Sequence, residues 1–261
     1  MEEVLVNTEK KLNHLMPKKL KASGIHLAIS SVVFLIILYF ILFQWYPFPF
    51  FDTDGGWQGI RLIIAVDLVL GPLLTLVIFN PSKKMREKIF DLSCIALVQC
   101  LALSWGVYTV YEQRPIVISH WQGTFYSVGH ESLSVQEAEL SKLSSLSHET
   151  PAMVNATSDK EAKDIATSLL LSLNHSLPDS AHFHLFRPLK DSMDELSKYA
   201  MDILAIAKKD IIVDGELQRL QKVDGMQIEN SIFMPFGGRY GKAILIFDKN
   251  GDYLGYMDWS D

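Results

Sequence analysis

Apolar positions follow two patterns along this chain. In the first 111 residues they form long unbroken runs, and after that they alternate or recur at helical spacing. Three runs, Ile25–Trp45, Ile60–Phe79 and Ile89–Tyr111, approach or exceed the ~20 residues that cross a ~30 Å hydrocarbon core. Each predicts a transmembrane helix. The first is not followed by a small-residue cleavage site but by "WYPFPFF", so it reads as a retained span and not as a signal peptide. Beyond residue 111, "IVIS" and "TFYSV" predict two short strands around His120–Gly123. Residues 133–146 read as weakly helical, and "SHETPAMVNATS" reads as a loop. Ser158 and Glu161 form a capping-box pattern ahead of Ala162, Ile165, Ala166, Leu169, Leu170 and Leu173. Ser192 and Glu195 repeat it ahead of Leu196, Tyr199, Ala200, Ile203 and Ala207. Both stripes are expected to pack on a sheet. "KAILIFDKNGDYLGYMDW" predicts a hairpin turning at Asn250-Gly251.

The predicted fold class is therefore a membrane protein with three N-terminal transmembrane α-helices, followed by a small extracytoplasmic α+β domain ending in a β-hairpin. The expected divisions are a basic cytoplasmic tail (1–24), a three-helix membrane domain (25–111) and a periplasmic domain (112–261).

Charge sets the orientation. Lys10, Lys11, Lys18, Lys19 and Lys21 precede the first run, and Lys83, Lys84, Arg86 and Lys88 separate the second from the third. The loop between the first two runs has no basic residue before Arg61. The positive-inside rule then places the N-terminus in the cytoplasm and everything after Tyr111 outside. Residues 112–261 carry 14 Lys+Arg against 22 Asp+Glu, a net charge of −8. That balance argues against nucleic acid, and against an anionic membrane surface, as partners of the domain. Cys94 and Cys100 lie in one apolar run and are not expected to pair, which leaves the outer domain without a disulfide framework.

The second run, "VDLVLGPLLTLVIF", holds an acid and a Gly-Pro pair inside the membrane. An acid at mid-bilayer costs roughly 2.5–3.5 kcal/mol, so Asp67 must face protein, with Ser104 or Tyr108 of the third run as expected neighbours. Pro72 removes one N–H and strands the carbonyl of Leu68. Gly71 lets another backbone approach. Thr75 is placed to turn its hydroxyl onto the Gly71 carbonyl. Asp67, Gly71 and Thr75 recur every four residues and share a face. That face is built to meet a helix, either one of the chain's own or one belonging to a partner.

No catalytic motif is legible: G-x-S-x-G, H-E-x-x-H, C-x-x-C and a phosphate-cradling glycine loop are all missing from the sequence. His182 and His184 would share a face on a strand but have no third ligand beside them. The expectation is a non-enzymatic protein with no cofactor and no metal.

Four segments carry a family likeness: "WYPFPFF", "VDLVLGPLLTLVIFNPSKK", "DLSCIALVQCLALSWGVYTVYEQRPIV" and "RYGKAILIFDKNGDYLGYMDW". Over roughly residues 20–128 and 230–259 the chain resembles the type IV pilin accessory proteins of the TfpX/TfpZ kind, including the boundary pair Arg114-Pro115. The resemblance implies an inner-membrane protein that assists a major pilin in stability, assembly or pilus dynamics. On this reading Asp67, Gly71, Pro72 and Thr75 contact the pilin's transmembrane helix. The edge of the C-terminal hairpin holds its head. A membrane-anchored sensor or ligand-binding protein is the alternative.

Overall fold

A computed structural model describes residues 2–157, 161–223 and 225–259. The chain divides into two units, residues 1–44 with 56–111 and residues 45–55 with 112–261.

The first unit is helical. α1 (Glu2–Phe40) runs on into a π-helical turn, Ile41–Trp45. The second long helix is composite: α3 (Gly56–Ile63), a π-helical stretch Ile64–Leu70, and α4 (Gly71–Ile78). α5 (Met85–Glu112) is continuous. Three helices, Leu15–Trp45, Gly56–Ile78 and Met85–Glu112, are long and apolar enough to cross a membrane. Their outward sides expose large apolar residues such as Val32, Leu35, Val77 and Leu101, as lipid-facing surfaces do. Gly59 permits the close approach of α3 to α5, because a Cβ there would lie 2.8 Å from Val110 Cγ2.

The second unit is a seven-stranded mixed sheet with helices on both faces. It contains α2 (Phe50–Thr53), β1 (Pro115–Trp121), β2 (Thr124–Gly129), α6 (His130–Ser134), α7 (Leu143–Leu146), β3 (Ala152–Ala156), α8 (Ala162–His175), β4 (Phe186–Pro188), α9 (Met193–Leu196), α10 (Ile203–Ala207), α11 (Ile211–Val223), β5 (Ser231–Gly237), β6 (Lys242–Asp248) and β7 (Tyr253–Asp258). The strand order is β4-β3-β1-β2-β5-β6-β7. The β1/β3 and β2/β5 pairs are parallel and the rest antiparallel. Alternate residues of one strand enter opposite cores. Leu245 and Phe247 join Phe50, Ile118, Phe125 and Leu196 on one face, while Ile244 and Ile246 join Val213, Leu217 and Met257 on the other. Burial on both faces explains the continuous apolar run "AILIF".

Three expectations need correction, and one helix stands outside them. The stretch read as a loop contains β3, every residue of which is buried; Asn155 in it accepts a 2.7 Å hydrogen bond from buried His120 Nδ1, whose Nε2 in turn accepts from Gly123 N–H. The helix expected from Ser192 is broken into α9, a 3-10 turn and α10, and Ser192 makes no side-chain cap. Asp202 instead caps α10 through Ala205 N–H at 3.0 Å. α11 answers no sequence expectation. Finally, α8 is turned the wrong way out. Its leucines face outward, with Ile165, Leu169, Leu170 and Leu173 all more than half exposed. Ser168 and Ser172 face the domain and bond to His184 Nε2 and the Leu177 carbonyl. Of its predicted capping box, Ser158 lies outside the described residues.

Candidate functional site

Two polar clusters stand out, one in each unit. In the helical unit, Pro72 cannot donate a main-chain hydrogen bond, and the π-helical stretch ends just before it, at Leu70. Asp67 lies in that stretch and is buried. Ser30 Oγ donates to Asp67 Oδ1 at 3.1 Å. Gln99 of α5 donates from Nε2 to the same side-chain oxygen, to the Asp67 carbonyl at 3.2 Å and to Ser30 Oγ at 3.3 Å. One turn on, Thr75 Oγ1 donates to the Gly71 carbonyl at 3.1 Å, as its spacing predicts. With that hydroxyl hydrogen committed, His26 must be the donor, from Nδ1, across the 2.6 Å contact to Thr75 Oγ1. Ser23 Oγ reaches the Pro72 carbonyl at 2.9 Å, and Lys19 Nζ reaches that of Val77 at 3.2 Å. The result is a polar seam along the α1 interface, closed at Asp67 by α5.

Asp67, Gly71, Pro72 and Thr75 are all buried and do share a face. Of the two occupants the sequence allows, the structure has the chain's own helices. A Cβ on Gly71 would overlap the Gln99 amide. Ser104 and Tyr108 are exposed, and Asp67 meets Ser30 and Gln99 in their place. These partners carry a sequence signal. Lys19, Ser23, His26 and Ser30 recur at steps of four, three and four, one face of α1, and Gln99 is an amide inside an apolar run.

In the second unit, residues 45–55 form a strap built into the sheet. Phe50 is buried edge-on to Phe236, with ring centroids 5.4 Å apart. The Thr53 carbonyl accepts Tyr240 N–H at 2.7 Å. Asp54 is buried and accepts from Ser127 Oγ, from Thr53 Oγ1 at 2.7 Å and from Arg239 N–H at 3.3 Å. Gly238 must be glycine, since a Cβ would sit 2.6 Å from the Thr53 carbonyl oxygen. The "PFGGRYG" loop thus serves as the receptacle for the strap. Pro115 opens β1 opposite Gly129, and the Arg114 carbonyl lies against that glycine.

Burial raises the Asp54 carboxyl above its ordinary range, against the lowering effects of Ser127, Thr53 and the Arg239 main chain and charge. The folded state then holds this proton more tightly than the unfolded chain, so Asp54 detracts from stability at neutral pH and the penalty fades as pH falls toward ~4. Tyr46, Arg114, Arg239 and Tyr240 are the other titratable groups around this pocket. In the non-titrating variant Asp54→Asn, the melting-temperature difference from the parent should move in the parent's favour between pH 7 and about 4.5; a pH-independent difference contradicts this.

His182 sits between two 3-10 turns and His184 lies in the second, with their rings stacked 5.7 Å apart. Among the described residues no group of three His, Cys, Asp or Glu is placed to hold a metal.

Three apolar spans joined to a mixed-sheet domain, with a span-connecting strap inside that domain's core, define an integral membrane protein carrying a folded domain outside the hydrocarbon. Residues 14–55, the first span and the strap, match the family described as Fimbrial assembly protein FimB. Over 98 residues the chain is 39% identical to the "Fimbrial assembly protein, serogroups C1 and C2" of Dichelobacter nodosus, a match covering 38% of this chain and 75% of that protein. The chain belongs to this fimbrial assembly protein family. It is also 41% identical to the serogroup E1 protein and 39% identical to the serogroup I protein of the same organism, each over 98 residues. Those matches span 38% of the length of both relatives. No solved structure matches the chain.

Proposed function

We propose that this protein is a non-enzymatic accessory factor of the bacterial inner membrane that helps a type IV major pilin persist and assemble. Its N-terminus is cytoplasmic and its domain periplasmic. The observation that carries the reading is the likeness to the fimbrial assembly proteins of Dichelobacter nodosus. A pilin subunit offers an apolar helix in the membrane and a folded head outside it, and a chain with spans and an outer domain is equipped to meet both.

In this proposal Asp67, Gly71, Pro72 and Thr75 act on the partner helix through the bundle they hold in place, because Ser30, His26 and Gln99 fill their own face. The pilin's span packs on the outward side of the same helix, where Val69, Leu73 and Val77 recur every four residues and are exposed. The head has two surfaces available. One is β7, the strand at one edge of the sheet, which fits strand addition at the C-terminal hairpin. The other is the outward leucine side of α8, an apolar stripe unusual on a surface that meets only water.

Leu169→Glu with Leu173→Glu tests the second surface. Both side chains are exposed, so the thermal stability of the solubilised protein should stay within about 0.5 kcal/mol of the parent. Recovery of the pilin with the affinity-tagged chain should fall at least severalfold. Full recovery would remove α8 from the interface.

A further inference from the structure

The junction between α10 and α11 exposes more apolar surface than a water-facing turn requires. Ile211 is 90% exposed and Ile212 60%, and Leu204 on α10 is exposed beside them in sequence. Lys208 and Lys209, also exposed, precede the isoleucines. The neighbouring acids serve the helix ends: Asp210 Oδ1 accepts from Ile212 N–H at 2.8 Å and Val213 N–H at 3.2 Å, and Asp202 caps α10.

This junction lies at one particular end of the domain. The strap binds the β5–β6 loop at Tyr240, and Arg239 lies near Gly129, opposite the start of β1. The chain passes to the membrane helices at Trp45, Gly55 and Glu112, so this is the end where all three connections leave. Asp258, paired with Ala243 at the same end, is influenced by Asp52 and by Glu216 and Arg219 of α11. α11 then leads to Ser231, which pairs with Asp248 at the far end. Its 13 residues rise about 20 Å, the height of a seven-residue strand. Its first turn, with Ile211 and Ile212, therefore belongs to the end where the spans attach.

We propose that the α10–α11 junction is a lipid foot: Ile211 and Ile212 enter the boundary between headgroups and acyl chains, and Lys208 and Lys209 engage phosphate headgroups of anionic phospholipid. Two exposed isoleucines with adjacent lysines have the chemistry of an interfacial anchor. Covalent attachment through three connections keeps the local concentration of bilayer high, so a weak contact suffices. The net charge of −8 opposes general attraction of the domain to an anionic surface; the foot acts locally, where Ile211 and Ile212 stand beside Lys208 and Lys209. The proposal rests on the spans crossing a bilayer.

The test uses the full chain with Cys94 and Cys100 replaced by serine. An environment-sensitive fluorophore is placed by Ile211→Cys or, as a far-end control, by Asn250→Cys. The protein is reconstituted in phosphatidylethanolamine–phosphatidylglycerol vesicles. The label at 211 should shift to shorter wavelength and be quenched by acyl-chain-brominated lipid, while the label at 250 does neither. Lys208→Glu with Lys209→Glu should reduce that quenching at least twofold. A label at 211 that brominated lipid leaves unquenched overturns the foot. So does a wavelength shift without quenching, which would mean a protein surface covers the junction. Flotation separates the premise: a chain that floats with the vesicles but is unquenched overturns the foot alone, whereas one that does not float overturns the membrane reading beneath it.

Discussion

Gly71→Leu should break the polar seam of the bundle and lower the stability of the detergent-solubilised protein by roughly 1–3 kcal/mol, with pilin recovery falling alongside. The first added atom overlaps the Gln99 amide, and that amide is tied to Asp67 and Ser30. Displacing it leaves a buried carboxyl group with Ser30 as its remaining side-chain donor among the described residues, and a buried polar group stripped of a partner costs on the order of 1–3 kcal/mol. Gly71→Ala, which adds only that first atom, should already be destabilised, and Gly106→Ala is its matched control, because a Cβ there meets only Leu62 Cδ2, at 3.7 Å. Thermal unfolding of the two variants, with surface labelling to confirm insertion, separates the seam from a general intolerance of bulk. Equal stability in both would mean that the seam contributes nothing.

Phe50→Ala should destabilise the sheet domain although residue 50 lies between two membrane helices in sequence. The ring is buried in the core with Ile118, Phe125 and Phe236, and truncating a buried phenylalanine costs about 3–5 kcal/mol. The loss should appear as proteolytic sensitivity within residues 112–261, with the spans still membrane-inserted. Unchanged resistance would show that the strap merely rests on the sheet.

What the sequence disclosed follows from which interactions are local. The three spans were legible because membrane crossing demands an unbroken apolar run, and the C-terminal hairpin because Asn250-Gly251 supplies the positive φ its turn uses, +86° at Gly251. The bond from Thr75 to the Gly71 carbonyl is legible because it stays within one helical turn. The partners of Asp67 were missed because they come from 37 and 32 residues away. The spacing that places Ser30 on one face of α1, and the lone amide of Gln99, mark polar positions but do not say which residue they meet until the helices are brought together. β3 escaped because five residues flanked by Ser, Thr and Pro look like a turn, and its burial is dictated by β1 and β4 on either side. α8 misled for a different reason. Its stripe fixes that one side must leave water, but not which body covers it.

The strap carries the most general lesson. "WYPFPFF" and the two acids after it read as a loop between spans, and only the tertiary structure makes them part of the sheet's core. The residues that join the first two spans also complete the sheet domain.

Recovery of a single-span pilin with the affinity-tagged full chain from solubilised membranes tests the central claim most directly. The account predicts that the parent retains the pilin, and that Gly71→Leu and the α8 double variant each release most of it while remaining inserted. A parent that brings down no pilin, in cells where pili depend on it, would contradict the account.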